Sequence, residues 1–379
     1  MQFTAELRAF VEARAQACGF ALCGVAAVPA AGSDEDAAER AYFAEWIAQG
    51  RAGEMGYLGR QDEQGSLLRS SLRVALPWAE SVIVCAVDYS AHAPLSIDPA
   101  PAGAGWIARY AWSGDGGKNP TDYHDVILKN LRELESALHE QCGEENIQTR
   151  CYVDTGPIVE RTFARYAGIG WVGKNTCILN EQRGSWLFLG VIATSLRMPD
   201  ELTVAAAADR CGSCTRCIDA CPTDALTAPH EMDASRCIAY LTIEKKGSID
   251  EALRPLMGRQ VFGCDICQDV CPWNGKSERA RPIASAAPAA MQPRSELINP
   301  ALEWLASLDA VEFKRLFRGS PLERTKLKGL QRNVAIAMGN SGDARHLPQL
   351  GKLQQSEDDA VRESAAWAIN HLASPASID

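Results

Sequence analysis

The chain has 379 residues, 46% hydrophobic and 23% charged, a globular composition long enough for two or three domains. A formal net charge of −10 excludes a protein coated in nucleic acid, though not one with a local basic face. No run approaches the ~18 consecutive apolar residues of a membrane helix, and the N-terminal segment, with Glu6 and Glu12, has neither a signal-peptide nor a twin-arginine pattern.

In chain order, Phe3, Leu7, Phe10 and Val11 recur at helical spacing, with Thr4 placed as a cap, which predicts a helix over 3–17 ended by Gly19. Residues 21–28 suit a strand. Residues 36–49 suit a helix whose stripe of Tyr42, Phe43 and Trp46 is expected in the core. Gly53-Glu-Met-Gly-Tyr-Leu-Gly-Arg60 is a glycine-dense loop ending in an arginine. Residues 81–87, nearly continuous and β-branched, read as a buried strand. Residues 94–105 and 113–120 read as loops. A helix over 122–141 carries Val126, Leu128, Leu131, Leu134 and Leu138 on its apolar side, and a strand over 147–153 delivers Asp154-Thr-Gly-Pro157 at its end. Pro157 suits the first turn of a helix over 158–167.

Gly168-Ile-Gly170-Trp-Val-Gly173-Lys174-Asn175 matches the dinucleotide fingerprint literally. That fingerprint needs a strand before it and a helix behind it. Here a helix precedes and residues 176–179 look extended, so a dinucleotide site is rejected and a loop shaped around another cofactor stays open. A further buried strand is expected over 186–194. Alternating strands and helices over 1–200 imply an α/β or α+β sheet domain, and α+β is the class assigned to the whole chain.

Eight of the fourteen cysteines fall between 211 and 271. Cys211, Cys214, Cys217 and Cys221-Pro222 form C-x2-C-x2-C-x3-C-P, the bacterial ferredoxin run in which the fourth cysteine serves the other cluster. Cys237 stands alone, and Cys264, Cys267 and Cys271-Pro272 nearly repeat the pattern. Paired C-x2-C motifs also suit zinc, but zinc does not call for the third cysteine and the x3-C-P ending. The expectation is two 4Fe-4S clusters with crossed ligands. Cys211, Cys214, Cys217 and Cys271 hold one; Cys221, Cys237, Cys264 and Cys267 hold the other. Oxygen-sensitive clusters and unpaired thiols fit a reducing cytoplasm. The other six cysteines read as inert and buried. The six histidines (92, 124, 139, 230, 346 and 371) are scattered singly and read as structural or exposed.

Residues 281–300 are Pro/Ala/Ser-rich and read as a linker. Beyond them Arg332–Asn340 lines up with Arg362–Asn370, a helical repeat of the HEAT type. Just before it, Lys314, Arg315, Arg318, Arg324, Lys326, Lys328 and Arg332 place seven basic residues in nineteen positions, with Glu323 the one acid. This is a candidate phosphate-contacting face.

A carrier of single electrons does not need 200 residues of preceding sheet domain, so a catalytic centre is expected there. Together, Gly53–Arg60, Ile107-Ala-Arg-Tyr110, Asp122-Tyr-His124, Val153-Asp-Thr-Gly-Pro157, Gly170-Trp-Val-Gly-Lys174-Asn175, the cysteine module ending Cys271-Pro-Trp-Asn274 and the Arg332–Asn340 repeat resemble epoxyqueuosine reductases over nearly the full length. The resemblance implies reductive removal of the epoxide oxygen from epoxyqueuosine at the wobble position of a tRNA anticodon. It implies clusters that feed electrons to cob(II)alamin, giving cob(I)alamin, and Asp154 as the proton donor, with its pKa raised by desolvation under a corrin and a bound base. Arg60, Tyr110, Lys174 and Asn175 match positions around the cobalamin pocket, with Gly170 and Gly173 letting backbone approach the corrin. The implied layout is an α/β cobalamin domain over 1–200, a ferredoxin-like module over 201–280 and a tRNA-contacting helical part over 281–379. A monomer, a ferredoxin or flavodoxin donor and no membrane are expected. The chain departs from the family between Tyr110 and Asp122, where a longer loop lacks the usual arginine and Lys118 is the nearest substitute in charge. Two other readings compete: a cobalamin-dependent reductive dehalogenase, and a two-cluster ferredoxin-type carrier.

Overall fold

A computed structural model describes residues 1–101, 103–143, 146–279 and 287–373. A four-stranded sheet carries the first half of the chain. Its order is Leu22–Ala27, Ser81–Asp88, Leu187–Thr194 and Thr149–Tyr152, and every pairing is antiparallel. The antiparallel pairing makes this an α+β sheet and corrects the α/β reading of residues 1–200.

The central strand Ser81–Asp88 is buried along its whole length, as its continuous apolar sequence requires. Its side chains alternate between two cores. Ile83, Cys85 and Val87 pack with the helices Ala5–Ala17 and Tyr123–Cys142, while Val82, Val84 and Ala86 pack with Leu72, Ile158, Phe163 and Ala164 on the opposite face. Each fully buried aliphatic or aromatic side chain there contributes roughly 1.5–3 kcal/mol. The long helix presents Ile127, Leu131, Leu134 and Leu138 to the sheet, with Val126 and Leu128 only partly buried. It comes close because Gly190 has no side chain: a Cβ there would stand 2.7 Å from Ile127 and 2.9 Å from Leu131. The close approach sets the start of the helix beside the loop that follows strand Thr149–Tyr152.

Several expectations are corrected. The helix expected over 36–49 is Asp34–Ala48, capped by Ser33, and its one buried residue is Asp36. Its aromatic stripe is not core: Tyr42 is 53% exposed. Pro157 precedes the next helix, Glu160–Tyr166, rather than starting it. The glycine fingerprint is a β-hairpin, Trp171–Val172 paired with Ile178–Leu179. Residues 113–120 form a second hairpin, and Gln292–Pro293 adds a third strand to it. The described part of the expected 281–300 linker is therefore packed, with Ala287, Met291 and Leu297 buried; residues 281–286 lie outside the described residues.

The boundaries near 200 and 280 do not separate cores. One cluster joins Trp106, Ile107 and Trp112 to Val261 and Phe262 and to the C-terminal helices from Leu302 to Ala368. Strand Gln260–Phe262 pairs with Trp106–Ile107, and the buried Asp265 carboxylate accepts from Trp106 Nε1 at 3.1 Å and from the Arg109 backbone at 2.7 Å. The two repeat helices, Lys326–Asn340 and Asp359–Ala373, pack together at Gly339 and Ala368. No helix among the described residues is long and apolar enough to cross a membrane.

Candidate functional site

Asp154 leaves the edge strand in a tight turn. Its φ is 57°, and Thr155 N donates to Val153 O at 2.6 Å, bridging only two residues. A non-glycine residue held at the centre of such a turn is strained. Its side chain is 66% exposed, open to a cavity rather than to the outer surface. Tyr123 OH donates to Asp154 Oδ2 at 3.0 Å, and His124 Nε2 stands 3.6 Å from the same oxygen. On its other side His124 Nδ1 is 2.7 Å from Asp122 Oδ1, and Asp122 also caps the helix by accepting from the His124 backbone at 2.9 Å. Tyr123 stacks on His124 and, nearly parallel, on Phe188 at 4.2 Å between ring centroids.

The protein's own groups favour the charged form of the aspartate. Neighbouring His124 holds the Asp154 carboxyl below its usual range, outweighing the burial that would raise it. Burial alone would lower the His124 pKa, but the Asp122 and Asp154 carboxylates more than reverse this and raise it to about 9. At neutral pH the pair is carboxylate and imidazolium. In the protein alone Asp154 is therefore ionised. An acid beside it with a raised pKa is Glu160, pushed to about 7 by burial and then by the Asp154 charge.

Two cavities meet at Asp154. One, of about 1030 Å³, is walled by Tyr57, Tyr110, Asp122, His124, Glu244 and Arg324, with Arg324 ion-paired to Glu244 at 2.7 Å. The other, of about 520 Å³, has Tyr42, Phe43 and Trp46 on one wall, Glu160 and Arg161 on another, and Cys177 and Gln268 among its lining. Arg69, Tyr89, Tyr123, Asp154 and Phe188 belong to both. The aromatic stripe is held there because Trp46 Nε1 donates to Met232 O at 2.7 Å and Tyr42 OH to His230 O at 3.3 Å. This cavity has the size of a small-molecule site and offers aromatic faces with a few polar groups to the edge of a cofactor. Its one orphaned buried acid atom, Glu160 Oε1, is free to meet an amide of such a group.

Cys211, Cys214, Cys217 and Cys271 line a third cavity of about 210 Å³. Burial, and then the charges of Cys271 and Cys211, push Cys217 up to about 11, which places the three thiols within one another's fields. Cys221, Cys237 and Cys264 likewise sit within each other's fields, with burial the larger influence on Cys264. Cys267 is held against Cys177, whose contact raises it, and feels Cys264 and Cys237. No three His, Cys, Asp or Glu side chains among the described residues close around one point as a single ion needs. A cube takes each thiolate on a different iron, so its ligands stay apart.

Other sequence-predicted residues land elsewhere. Tyr110 lines the larger cavity. Arg60 is exposed and lines neither cavity at Asp154; nor does Lys118. Lys174 Nζ donates to Gly212 O at 2.6 Å and Cys214 O at 3.0 Å, and Asn175 Nδ2 donates to Cys267 O at 3.2 Å. Both brace the cysteine loops instead of a corrin pocket. Gly170 and Gly173 are needed by their own hairpin: a Cβ on Gly170 would stand 2.1 Å from Leu179 O, and one on Gly173 2.5 Å from Leu179 Cδ1. Lys314, Arg315, Arg318, Arg324, Lys326 and Lys328 are exposed, as a phosphate-facing patch requires. Arg332 is not. It is 3% exposed, and its guanidinium donates at 2.7 Å to each of Leu241 O, Lys245 O and Gly247 O. Sequence reasoning missed His124, Tyr123, Glu160 and Cys177; the Asp122-Tyr-His124 string was visible, but nothing in it announces a partner thirty residues on.

The family model described as epoxyqueuosine reductase QueG matches residues 69–155, which end on the Asp154 turn, and that of a 4Fe-4S double cluster binding domain matches residues 210–274. An epoxyqueuosine reductase of Xanthomonas campestris pv. campestris is 35% identical over 94% of this chain and 93% of its own. The chain belongs to the epoxyqueuosine reductase family. A Gloeobacter violaceus member is 38% identical over 88% of this chain and 96% of its own. Among solved epoxyqueuosine reductases, one with an epoxyqueuosine-modified tRNA-Tyr stem loop superposes with TM-score 0.79 at 29% identity, covering 98% of this chain and 91% of that one. The Bacillus subtilis reductase, with its catalytic loop swung out of the active site, gives 0.78 at 30% identity over 98% and 91%. The chain is thus an oxidoreductase with a module for two 4Fe-4S clusters. Family membership selects this reading over the dehalogenase and the carrier.

Proposed function

We propose that the chain reduces epoxyqueuosine to queuosine in tRNA, with cobalamin in the smaller cavity and the modified base in the larger. The observation that carries this is the placement of Asp154 on the wall common to both cavities. Tyr42, Phe43, Trp46 and Glu160 would hold the cofactor, and cobalamin would supply low-potential metal chemistry for cleaving a C–O bond. Cys177 and Gln268 bring that cavity to the residues around Cys267, so the Cys221, Cys237, Cys264 and Cys267 cluster is the nearer electron source. The other cubane, on Cys211, Cys214, Cys217 and Cys271, faces an open cavity and is the entry point for a ferredoxin or flavodoxin donor in the cytoplasm.

Asp154 gives the proton that the departing oxygen needs. Tyr123 and His124 fix its Oδ2, leaving Oδ1 toward the substrate. The anticodon loop enters past Tyr57, with the exposed basic residues from Lys314 to Lys328 taking its phosphates. The 201–280 module and the HEAT-like C-terminal part then have distinct tasks, wiring and RNA docking, although they share a core with the sheet domain. The mass of the wobble nucleoside in an epoxyqueuosine-containing stem-loop, before and after incubation with reduced protein, tests the activity. Asp154→Asn should keep cobalamin and lose turnover; full activity in that variant removes Asp154 from the chemistry.

A further inference from the structure

Reducing an epoxide to an alkene consumes two electrons and two protons: both C–O bonds break, a C=C bond forms and the oxygen leaves as water. A low-potential one-electron carrier, acting through the clusters, supplies the electrons. The protons need a source at the site, and Asp154 is ionised in the resting protein. Among the described residues, His124 is the one group at hydrogen-bond or ion-pair distance from Asp154 that carries a transferable positive charge. Its Nε2 is buried, has no hydrogen-bond partner and stands 3.6 Å from Asp154 Oδ2, while its Nδ1 is tied to Asp122 at 2.7 Å.

We propose that His124, held between Asp122 and Asp154, is the proton reservoir that charges Asp154 during epoxide reduction, an inference resting on the reading of Asp154 above. As negative charge grows on the substrate oxygen, the Nε2 proton passes to Asp154 and Asp154 delivers a proton to that oxygen. Asp122 and His124 both line the larger cavity. Water there then reprotonates Nε2, the nitrogen that gave up its proton, while the Nδ1 proton stays hydrogen-bonded to Asp122, and a second passage completes the oxygen's departure as water. The charge is maintained by groups from every side. Asp122 and Tyr123 come from the helix start, and Asp154 from the strand-end turn. From helix Glu160–Tyr166, Arg161 favours the carboxylate of Asp154 and Glu160 lies within its field. Arg69 reaches the Asp154 carbonyl at 3.5 Å, and Arg324 and Tyr57 feel the carboxylate across the cavity. The stacked Tyr123 ring keeps the imidazole plane in line, its centroid 4.0 Å away.

Two measurements test the relay. In cobalamin-free protein with oxidised clusters, the ring 15N shifts of His124 should titrate near pH 9, and the midpoint should fall in Asp122→Asn. Titration of the wild-type ring at the ordinary histidine value overturns the reservoir, and this readout needs no active variant. In the holoenzyme, His124→Gln should lower kcat on the order of 10²-fold and abolish the alkaline limb of the pH profile, with cob(II)alamin affinity kept. Wild-type kcat and profile in His124→Gln alongside an inactive Asp154→Asn refute the relay alone. Wild-type turnover in both variants refutes the role of Asp154 itself.

Discussion

Arg332→Ala separates a structural arginine from an RNA-binding one. Its guanidinium makes three hydrogen bonds of 2.7 Å to carbonyls of segment 241–247 and two more, at 3.0 and 2.8 Å, to Asn333 Oδ1. Burial lowers its pKa, but only to about 10, so it stays charged at neutral pH. Charge-assisted bonds contribute roughly 1.5–3 kcal/mol each and stranded carbonyls have their own penalty. With partial rehydration of the gap, the loss is about 3–5 kcal/mol. Leu241 lies in helix Ile238–Ile243, which begins directly after Cys237, a proposed cluster ligand. The damage therefore reaches one cluster before the other. Anaerobic urea denaturation of the iron-loaded protein should show a lower midpoint, with iron lost in two phases and the Cys237 cluster going first. Stem-loop affinity at a concentration where the variant is folded should be unchanged. A midpoint within about 0.5 kcal/mol of wild type, the spread of an ordinary surface substitution, together with lost RNA affinity, would refute the buried-anchor reasoning.

Lys314→Glu combined with Lys326→Glu should weaken stem-loop binding. The slope of log K against log salt should flatten by about 1.4, the counterions released by two contacts on single-stranded RNA; an unchanged slope takes this face out of the interface. Glu160→Gln should stabilise the cobalamin-free protein in alkaline solution. The folded pKa of Glu160 is raised from 4.5 to about 7, so its ionisation counts against folding increasingly between those values and fully above the higher one. The gain should approach roughly 3 kcal/mol above pH 8 and vanish below pH 4, read as the difference between thermal or urea midpoints at the two pH values. Equal gains at both would show that packing, not charge, sets the effect.

The two-cluster module over residues 210–274 was legible because its cysteine chemistry is written in local spacing, and the strand Ser81–Asp88 because burial on both faces leaves no polar alternation to confuse it. Other features depend on what packs against a residue, which spacing does not carry. The Tyr42, Phe43 and Trp46 stripe has the period of a core face, yet it borders a cavity because the opposite wall is a cofactor-sized gap. The basic window was read by counting charges, and a count cannot distinguish exposed Lys326 from Arg332, buried under the carbonyls of a segment some ninety residues earlier. The hairpin at 113–120 owes its third strand to Gln292–Pro293, in a stretch whose composition resembles a linker.

Asp154 shows the same limit at the proposed proton donor, and its geometry explains why the partner matters. The expectation of a raised pKa considered desolvation by corrin and base, and not the protein groups beside the carboxylate. The long helix, seated on the sheet at Gly190, carries Tyr123 and His124 to the carboxylate from thirty residues upstream. A residue at φ 57° in a two-residue turn is disfavoured by about 1–3 kcal/mol. Contacts of the size made by a charged partner and a tyrosine hydroxyl can offset that strain. The backbone alone does not hold the side chain in place; its electrostatic partners do. The interaction that positions Asp154 is therefore the one that keeps it ionised. A proton donor at this position has to be supplied from behind, by the group that anchors it.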